Sequence, residues 1–136
     1  MDTGTAMSEQ NVETLQRWAD AAERGDLAAA EAELHPDGVE IDDRDIVEST
    51  GADSHRVWLE RWNAAWGRWE TEEQATIAVG DDTVLALFRI FVTGKESGID
   101  LARDDALIAN FRDGKIVRFA YYNDQAQARR DAGLAE

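Results

Sequence analysis

Carboxylates crowd one short stretch of this chain. Asp42, Asp43 and Asp45 surround Arg44, directly after the apolar residues of a short strand-like segment. Neighbouring negative charges disfavour the ionisation of every carboxyl group in such a cluster, and a carboxylate that takes up a proton readily can act as a general base. An ordinary acidic loop has the same composition. The stretch therefore supports two interpretations, a catalytic base or a solvated surface loop.

A second group of polar residues closes the last apolar run of the chain. "RDGKIVRFAYYND" ends in Tyr121, Tyr122, Asn123 and Asp124. Side chains alternate between the two faces of a strand, so Tyr121 and Asn123 share one face and Tyr122 takes the other. Asp124 stands three residues before Gln127, the spacing of a helix capping box. This pattern predicts two hydrogen-bonding groups on one face of the strand and a helix that begins after Asp124.

The composition limits the classes of function. The chain has 136 residues, no cysteine, two histidines far apart, and a net charge of −15. A thiolate metal site and disulfides are thereby excluded, and we expect neither a metal centre nor a cofactor. Such a negative field repels phosphate backbones and anionic lipids, so nucleic acid and membrane surfaces are not expected partners. The length is that of one domain.

The first residues carry neither a basic segment nor an apolar one, and no apolar run of the chain approaches the ~20 residues of a membrane helix. We therefore expect a cytoplasmic protein, with residues 1–7 as a flexible tail and residues 8–136 as a single domain.

The hydrophobic pattern predicts helices first and strands afterwards. Helical periodicity covers "SEQNVETLQRWADAAERGD" and "LAAAEAEL", "GVEID" reads as a short strand, and "VESTGA" as a loop. A third helix from about Asp53 places Trp58, Trp62 and Trp66 on one face. Four long strands and a last helix follow. This order predicts an α+β domain in which helices cover one face of a curved antiparallel sheet and enclose a cone-shaped pocket.

The segments "LHPDGVEID" and "NFRDGKIVRFAYYNDQAQARRDAGL", in this order of elements, resemble the nuclear transport factor 2-like superfamily, and most closely its SnoaL-like branch. The resemblance spans about residues 11–134. It implies the cystatin-like, ketosteroid isomerase-like fold. The superfamily includes isomerases, cyclases, hydrolases and proteins that only bind, so the activity is much less specified than the fold.

An overlay on the ketosteroid isomerases of this superfamily implies site residues. "LHPDGVEID" aligns without a gap and puts Asp42 in the place of the catalytic base. Trp18 stands where those enzymes have the oxyanion tyrosine, and Leu107 where they have the protonated oxyanion aspartate. Losing one oxyanion donor typically reduces the rate by ~10²–10³. Steroid isomerisation in its known form is therefore not expected.

The same overlay implies which side chains point into the pocket. They are Arg103, Asp105, Leu107 and Ala109 of one strand, and Val117, Phe119, Tyr121 and Asn123 of the next. Arg103 and Asp105 then form a buried ion pair that orients a polar substrate, or else belong to a surface charge cluster. Trp58, Trp62 and Trp66 are core residues or, in addition, an aromatic wall that favours a planar ligand. His35 caps carbonyl groups at a helix end or takes part in catalysis. His55 opens the third helix after a capping Asp53 or Ser54, with a structural role or one at the mouth of the pocket.

Two classes of function remain open at this stage. The first is cofactor-free proton transfer on a small, largely apolar carbonyl compound, with Asp42 as base and Tyr121, Asn123 and Trp18 as donors. The second is a binding protein for a small apolar or aromatic ligand, or a structural dimer with a vestigial pocket. We also expect a homodimer through the open sheet face, which carries Leu87, Arg89, Phe91 and Tyr122.

Overall fold

The computed structural model describes residues 3–43, 47–49 and 53–134. Within them the chain forms α1 (Thr3–Arg24), α2 (Leu27–Glu31), β1 (Glu40–Asp43), β2 (Val47–Ser49), α3 (Ser54–Ala65), β3 (Trp66–Val79), β4 (Thr83–Gly94), β5 (Asp100–Arg112), β6 (Lys115–Tyr122) and α4 (Gln125–Asp131).

The turns between the first helices follow the sequence signals. Gly25 ends α1 with a φ of 76°, a backbone conformation that glycine adopts without steric cost. Asp26 then caps α2, because its side chain accepts a hydrogen bond from the backbone N–H of Ala29 at 3.1 Å. α1 begins at Thr3, so part of the segment that we expected to be a tail is helical.

The strands form one six-stranded sheet in the order β2-β1-β6-β5-β4-β3. The four long strands β3 to β6 make an antiparallel meander, as predicted, whereas β1 pairs with β6 in parallel. Register shifts interrupt the β3–β4 and β5–β6 pairs, and such bulges bend the strands that carry them. The α+β fold class is confirmed. The segment "VESTGA" is not all loop, since residues 47–49 form β2.

One face of the sheet, called the inner face below, packs against α1 and α3. The shared core is apolar and contains Leu15, Trp18, Ala21, Ala22, Ile41, Trp58, Val84, Leu107, Ala109, Ile116 and Phe119. This confirms the predicted direction of Leu107, Ala109 and Phe119. Val117 is different. The register shift in the β5–β6 pair aligns Phe111 with Ile116, so Ile116 enters the core in place of Val117.

The opposite face, called the outer face, is covered in part by α4. Ala128 of α4 packs on a cluster made of Leu85, Leu87, Ala106, Ile108 and Ala120. Further along this face Phe91 is 38% exposed, and Arg89 forms an ion pair with Asp104. The α4 helix thus removes much of the apolar surface that we expected a dimer to bury. A homodimer through the rest of this face stays a prediction.

Both ends of α4 are set by local hydrogen bonds. The Asp124 carboxylate accepts from the backbone N–H groups of Ala126 and Gln127, at 3.0 and 3.2 Å. The Gln127 side chain bonds to Asp131, so the reciprocal half of the capping box is not made. At the other end Gly133 has a φ of 89° and the N–H of Leu134 reaches back to the carbonyl of Arg129.

We expect Asp124→Ala to lower the free energy of unfolding by about 1 kcal/mol, because two N–H groups of the first turn of α4 lose their acceptor. Asp124→Asn is the matched control, since an Asn side chain caps almost equally well. Urea denaturation of the three proteins measures the difference. Equal destabilisation by both substitutions would contradict the capping role.

Candidate ligand-binding cavity

A cavity of about 120 Å³ lies between α1, α3 and the inner face of the sheet. Four of the five tryptophans line it, together with other apolar groups and a few polar ones. The lining residues are Leu15, Gln16, Trp18, Ala19, Trp58, Leu59, Trp62, Trp69, Thr71, Glu73, Thr76, Ala86, Leu87, Phe88, Ile90, Leu107 and Tyr121.

The aromatic rings pack against one another in fixed geometries. Trp18 and Trp58 stack in parallel, with ring centroids 5.9 Å apart, and Trp62 meets Trp69 edge to face at 5.8 Å. The ring centroid of Tyr121 lies 5.4 Å from that of Trp62 and 6.0 Å from that of Phe88. Such offset and edge-to-face contacts stabilise the wall beyond the area that they bury. The cavity wall is therefore a connected aromatic shell.

The volume of the cavity limits the ligand. Pockets for drug-sized molecules measure roughly 300–1,000 Å³, and an engineered apolar cavity of about 150 Å³ holds benzene. At about 120 Å³ the cavity accommodates one ring, with any further atoms at its open end.

The indole N–H of Trp18 points away from the cavity. The indole N–H donates to Nε2 of His55 at 2.9 Å, in a side chain that is only 2% exposed. Burial lowers the pKa of His55 to about 4, so the imidazole is neutral at pH 7. Because Nε2 accepts, the proton of the ring is on Nδ1. Neither Trp18 nor His55 therefore offers a proton to the cavity.

Tyr121, Asp105 and Arg103 form a hydrogen-bonded polar group that reaches the cavity through Tyr121. The Tyr121 hydroxyl donates to the Asp105 carboxylate at 2.6 Å, and Arg103 holds the same carboxylate through Nε at 2.8 Å and Nη2 at 2.9 Å. Asp105 is fully buried. The predicted ion pair is present, but only Asp105 is buried, since the Arg103 side chain is 39% exposed. Only Tyr121 of the three lines the cavity.

Electrostatic interactions within this hydrogen-bonded group fix the protonation state of Tyr121. Burial, and then the negative charge of Asp105, raise the pKa of Tyr121 far above its ordinary value, so the phenol keeps its proton. The hydrogen bonds from Arg103 to Asp105 raise the pKa of the guanidinium. Since the phenolic hydrogen is held by Asp105, the oxygen of Tyr121 can accept a hydrogen bond from a ligand.

The prediction that Asp42 points into the cavity is wrong. The error is a shift of one residue along β1. In the parallel β1–β6 register Ile41 lies beside Phe119 on the inner face, and Asp42 beside Ala120 on the outer face. The Asp42 carboxylate there accepts from Arg118 at 3.1 Å.

Asp43 is the carboxylate on the inner side. Its side chain is 3% exposed and accepts from the indole N–H of Trp58 at 2.9 Å. It also contributes to the raised pKa of Tyr121, so the two groups are electrostatically coupled. Asp45 and Arg44 lie outside the described residues. The overlay assigned the correct strand and the wrong face.

The remaining candidates lie around the cavity rather than in its wall. Phe119 is fully buried beneath Trp18, with ring centroids 4.4 Å apart, and supports the wall from behind. Trp66 is half-buried and meets Trp62 edge to face. Asn123 is exposed and lines a separate polar depression, which it shares with Asp43 and Tyr121. The structure thus brings Trp18, Trp58, Trp62, Leu107 and Tyr121 together, and leaves Asn123 apart.

Sequence reasoning missed the contribution of β3 and β4. Thr71 and Glu73 follow Trp69 at alternate positions of β3, and Ile90 and Phe88 face them from β4. The alternation of "RWETEE" contained this information, because residues two apart share a face. In the part of the chain that the structure describes, no three His, Asp or Glu side chains are arranged to hold a metal ion, and no helix is long and apolar enough to cross a membrane.

A family model, the SnoaL-like domain, matches residues 15–119. The chain belongs to the SnoaL-like domain family. A search of curated proteins gives no match.

Solved structures of the same fold are numerous. A proposed polyketide cyclase from Xanthomonas campestris pv. campestris is 20% identical, with a TM-score of 0.76, and the match covers 93% of this chain and 98% of that one. A proposed SnoaL-like polyketide cyclase from Jannaschia sp. CCS1 is 17% identical (TM-score 0.73, 94% of both chains). An NTF2-like protein of unknown function from Burkholderia pseudomallei K96243 is 21% identical (TM-score 0.72, 89% and 95%). At these identities the likeness establishes the fold.

We expect stability to fall as the pH drops from about 6.5 toward about 4, because His55 takes up a proton in the unfolded chain before it does so in the fold. The free energy of unfolding that depends on the neutral His55 ring is fully present above about pH 6.5. About 3 kcal/mol of it is lost once the pH has fallen below about 4. Denaturation of wild type and His55→Gln at pH 7 and pH 4.5 measures it. The variant keeps an acceptor for Trp18 but has no titrating ring, so its loss should be smaller. Identical losses in both proteins would contradict the assignment.

Proposed function

We propose that this SnoaL-like chain binds a small, planar, largely apolar molecule in the cavity. The observation that carries the proposal is the wall of four tryptophans, Phe88 and Tyr121 around a space sized for one ring. An aromatic shell with few polar atoms is typical of sites for planar hydrophobic ligands. The names of the polyketide cyclases of similar fold agree with an aromatic or cyclic compound as the first class of probe.

The residues that the overlay assigned as donors favour binding over enolate chemistry, and among the described residues the remaining free buried donor of the wall is the indole N–H of Trp62. Trp18 gives its N–H to His55, Tyr121 gives its O–H to Asp105, and Leu107 has none to give. A developing oxyanion in the cavity would lack these donors, and the loss of one alone typically reduces a rate by ~10²–10³. A ligand with a hydroxyl or N–H group fits better, since the Tyr121 oxygen can accept from it.

Titration with toluene, phenol and cyclohexanone tests the proposal, with the indole N–H signals of the five tryptophans followed by NMR. Ligands of about seven heavy atoms are expected to bind with dissociation constants on the order of 0.1–1 mM. Shifts should be large for the four tryptophans of the wall and smaller for Trp66. Phenol should bind more tightly than toluene if the Tyr121 oxygen accepts a hydrogen bond from the phenol hydroxyl.

Ala86→Leu should abolish this binding, because Ala86 lines the cavity and the three added carbon atoms occupy space that a seven-atom ligand needs. The matched control is Ala102→Leu, which makes the same change at an exposed position on the neighbouring strand. Both variants are checked for folding by circular dichroism. Unchanged affinity in Ala86→Leu would place the ligand elsewhere and overturn the proposal.

A second candidate function is proton transfer with Asp43 as the base. Asp43 occupies the inner position that the overlay gave to Asp42, is buried against Trp58, and is coupled to Tyr121. A buried carboxylate is a candidate general base for a carbonyl compound that reaches it.

Asp43→Asn should then lower turnover of a cyclic ketone, followed as exchange of its α-hydrogens for deuterium, by at least about 10². The substitution keeps the acceptor for Trp58 and removes the base. Asp42→Asn is the control, because it makes the same change one residue earlier on the outer face. Equal rates in the two variants would remove Asp43 from the mechanism and leave binding alone.

A further inference from the structure

The cavity has one charged side chain in its wall, the carboxylate of Glu73. Glu73 lies on the inner face of β3 and pairs in register with Phe88 of β4. Side chains directly opposite each other in an antiparallel pair have Cβ atoms about 5 Å apart. The carboxylate is therefore next to an aromatic ring that belongs to the cavity wall.

No cation neutralises this carboxylate among the described residues. Its hydrogen-bond partner is the amide of Gln16, whose Nε2 lies 3.4 Å from Oε1. Arg17, the next residue of α1, pairs with Glu33 of the α2 side instead. None of the residues that line the cavity is Arg, Lys or His.

Glu73 is exposed, so it stands at the open end of the cavity. Its neighbours Gln16 and Thr71 are polar as well, whereas the interior is formed by indole rings and aliphatic groups. A ligand that fills the cavity would thus place an apolar ring inside and its head group beside Glu73.

We propose that the ligand is an organic cation, an aromatic or cyclic body that bears an ammonium group, with the ammonium between the Glu73 carboxylate and the face of Phe88. The inference rests on the proposed function, because it names the ligand class of the same cavity. Aromatic faces attract ammonium groups through their quadrupole, and a carboxylate without a cationic partner adds a direct charge attraction. The net charge of −15 raises the local concentration of cations and repels anions.

The head group does not have to be fully dehydrated at this position. The open end leaves one side of the ammonium in contact with water, so the desolvation cost that opposes the burial of a charge is small. An anionic head group at the same place would face Glu73 with no cation to balance it.

Three probes of nearly the same shape separate charge from size. Phenyltrimethylammonium, tert-butylbenzene and benzenesulfonate share a phenyl ring and a tetrahedral head, and carry charges of +1, 0 and −1. We expect the cation to bind about tenfold more tightly than the neutral compound. The sulfonate should not compete. Raising the salt concentration should reduce the advantage of the cation, because the exposed carboxylate is screened.

Glu73→Gln should lower the affinity for phenyltrimethylammonium by about three- to tenfold and leave that for tert-butylbenzene unchanged. Glu72→Gln is the matched control. It removes the same charge from the adjacent residue, which lies on the outer face opposite Arg89 and should have no effect. A loss shared by both variants would assign the effect to net charge and overturn the site.

The outcomes distinguish this inference from the proposed function. Binding of tert-butylbenzene as tight as that of the cation, in wild type, overturns the ligand class and leaves a neutral-ligand cavity. Failure of all three probes, while toluene still shifts the indole N–H signals, overturns the ligand class alone, and failure of toluene as well overturns both proposals. Binding of the cation that weakens about three- to tenfold in Glu73→Gln, and is unchanged in Glu72→Gln, supports both.

Discussion

The packing of Trp18 and Trp58 on Phe119 is the contact on which the rest of the structure depends. Trp18 comes from α1, Trp58 from α3 and Phe119 from β6, and their rings lie within 6 Å of one another. Two helices are thereby fastened to the centre of the sheet by one aromatic cluster. The indole N–H groups of both tryptophans find buried acceptors, His55 and Asp43, so the cluster contains no unpaired polar group of its own. Trp18 and Trp58 also form part of the cavity wall.

Most of the fold was predictable because its signals are local. The glycine at the end of α1, the caps at Asp26 and Asp124 and the alternation along the long strands each follow from one stretch of sequence. The errors arose where tertiary pairing decides. Nothing in "GVEID" reveals that β1 runs parallel to β6 with Ile41 beside Phe119, and a shift of one residue exchanges Asp42 and Asp43 between faces. The register shift that replaces Val117 by Ile116 is equally invisible in the sequence.

Part of the candidate site was predictable as well. Tyr121, Asp105 and Arg103 were correctly assigned to one face by the overlay on the ketosteroid isomerases, and alternation along each long strand then kept Arg103 and Asp105 together. What the pattern could not show is how their hydrogens are distributed. A hydroxyl that could have served a ligand as donor is bound to Asp105, and an indole N–H is bound to His55. Residue types suggested acid–base chemistry, whereas the hydrogen-bond geometry commits both of these donors to protein acceptors.

The size of the side chains on β4 explains why a cavity exists at all. Ala86 stands between Val84 and Phe88 on the inner face, at a position where a larger aliphatic group would fill the space beneath the tryptophans. An empty apolar volume forfeits dispersion contacts, and in mutational series the free energy of unfolding falls by about 24 cal/mol for each Å³ of cavity. A cavity of about 120 Å³ therefore corresponds to roughly 3 kcal/mol of stability that a single larger residue could recover. Because marginally stable domains have only about 5–15 kcal/mol in total, a wall of four tryptophans around an unfilled space is easier to understand as a site whose occupant restores those contacts.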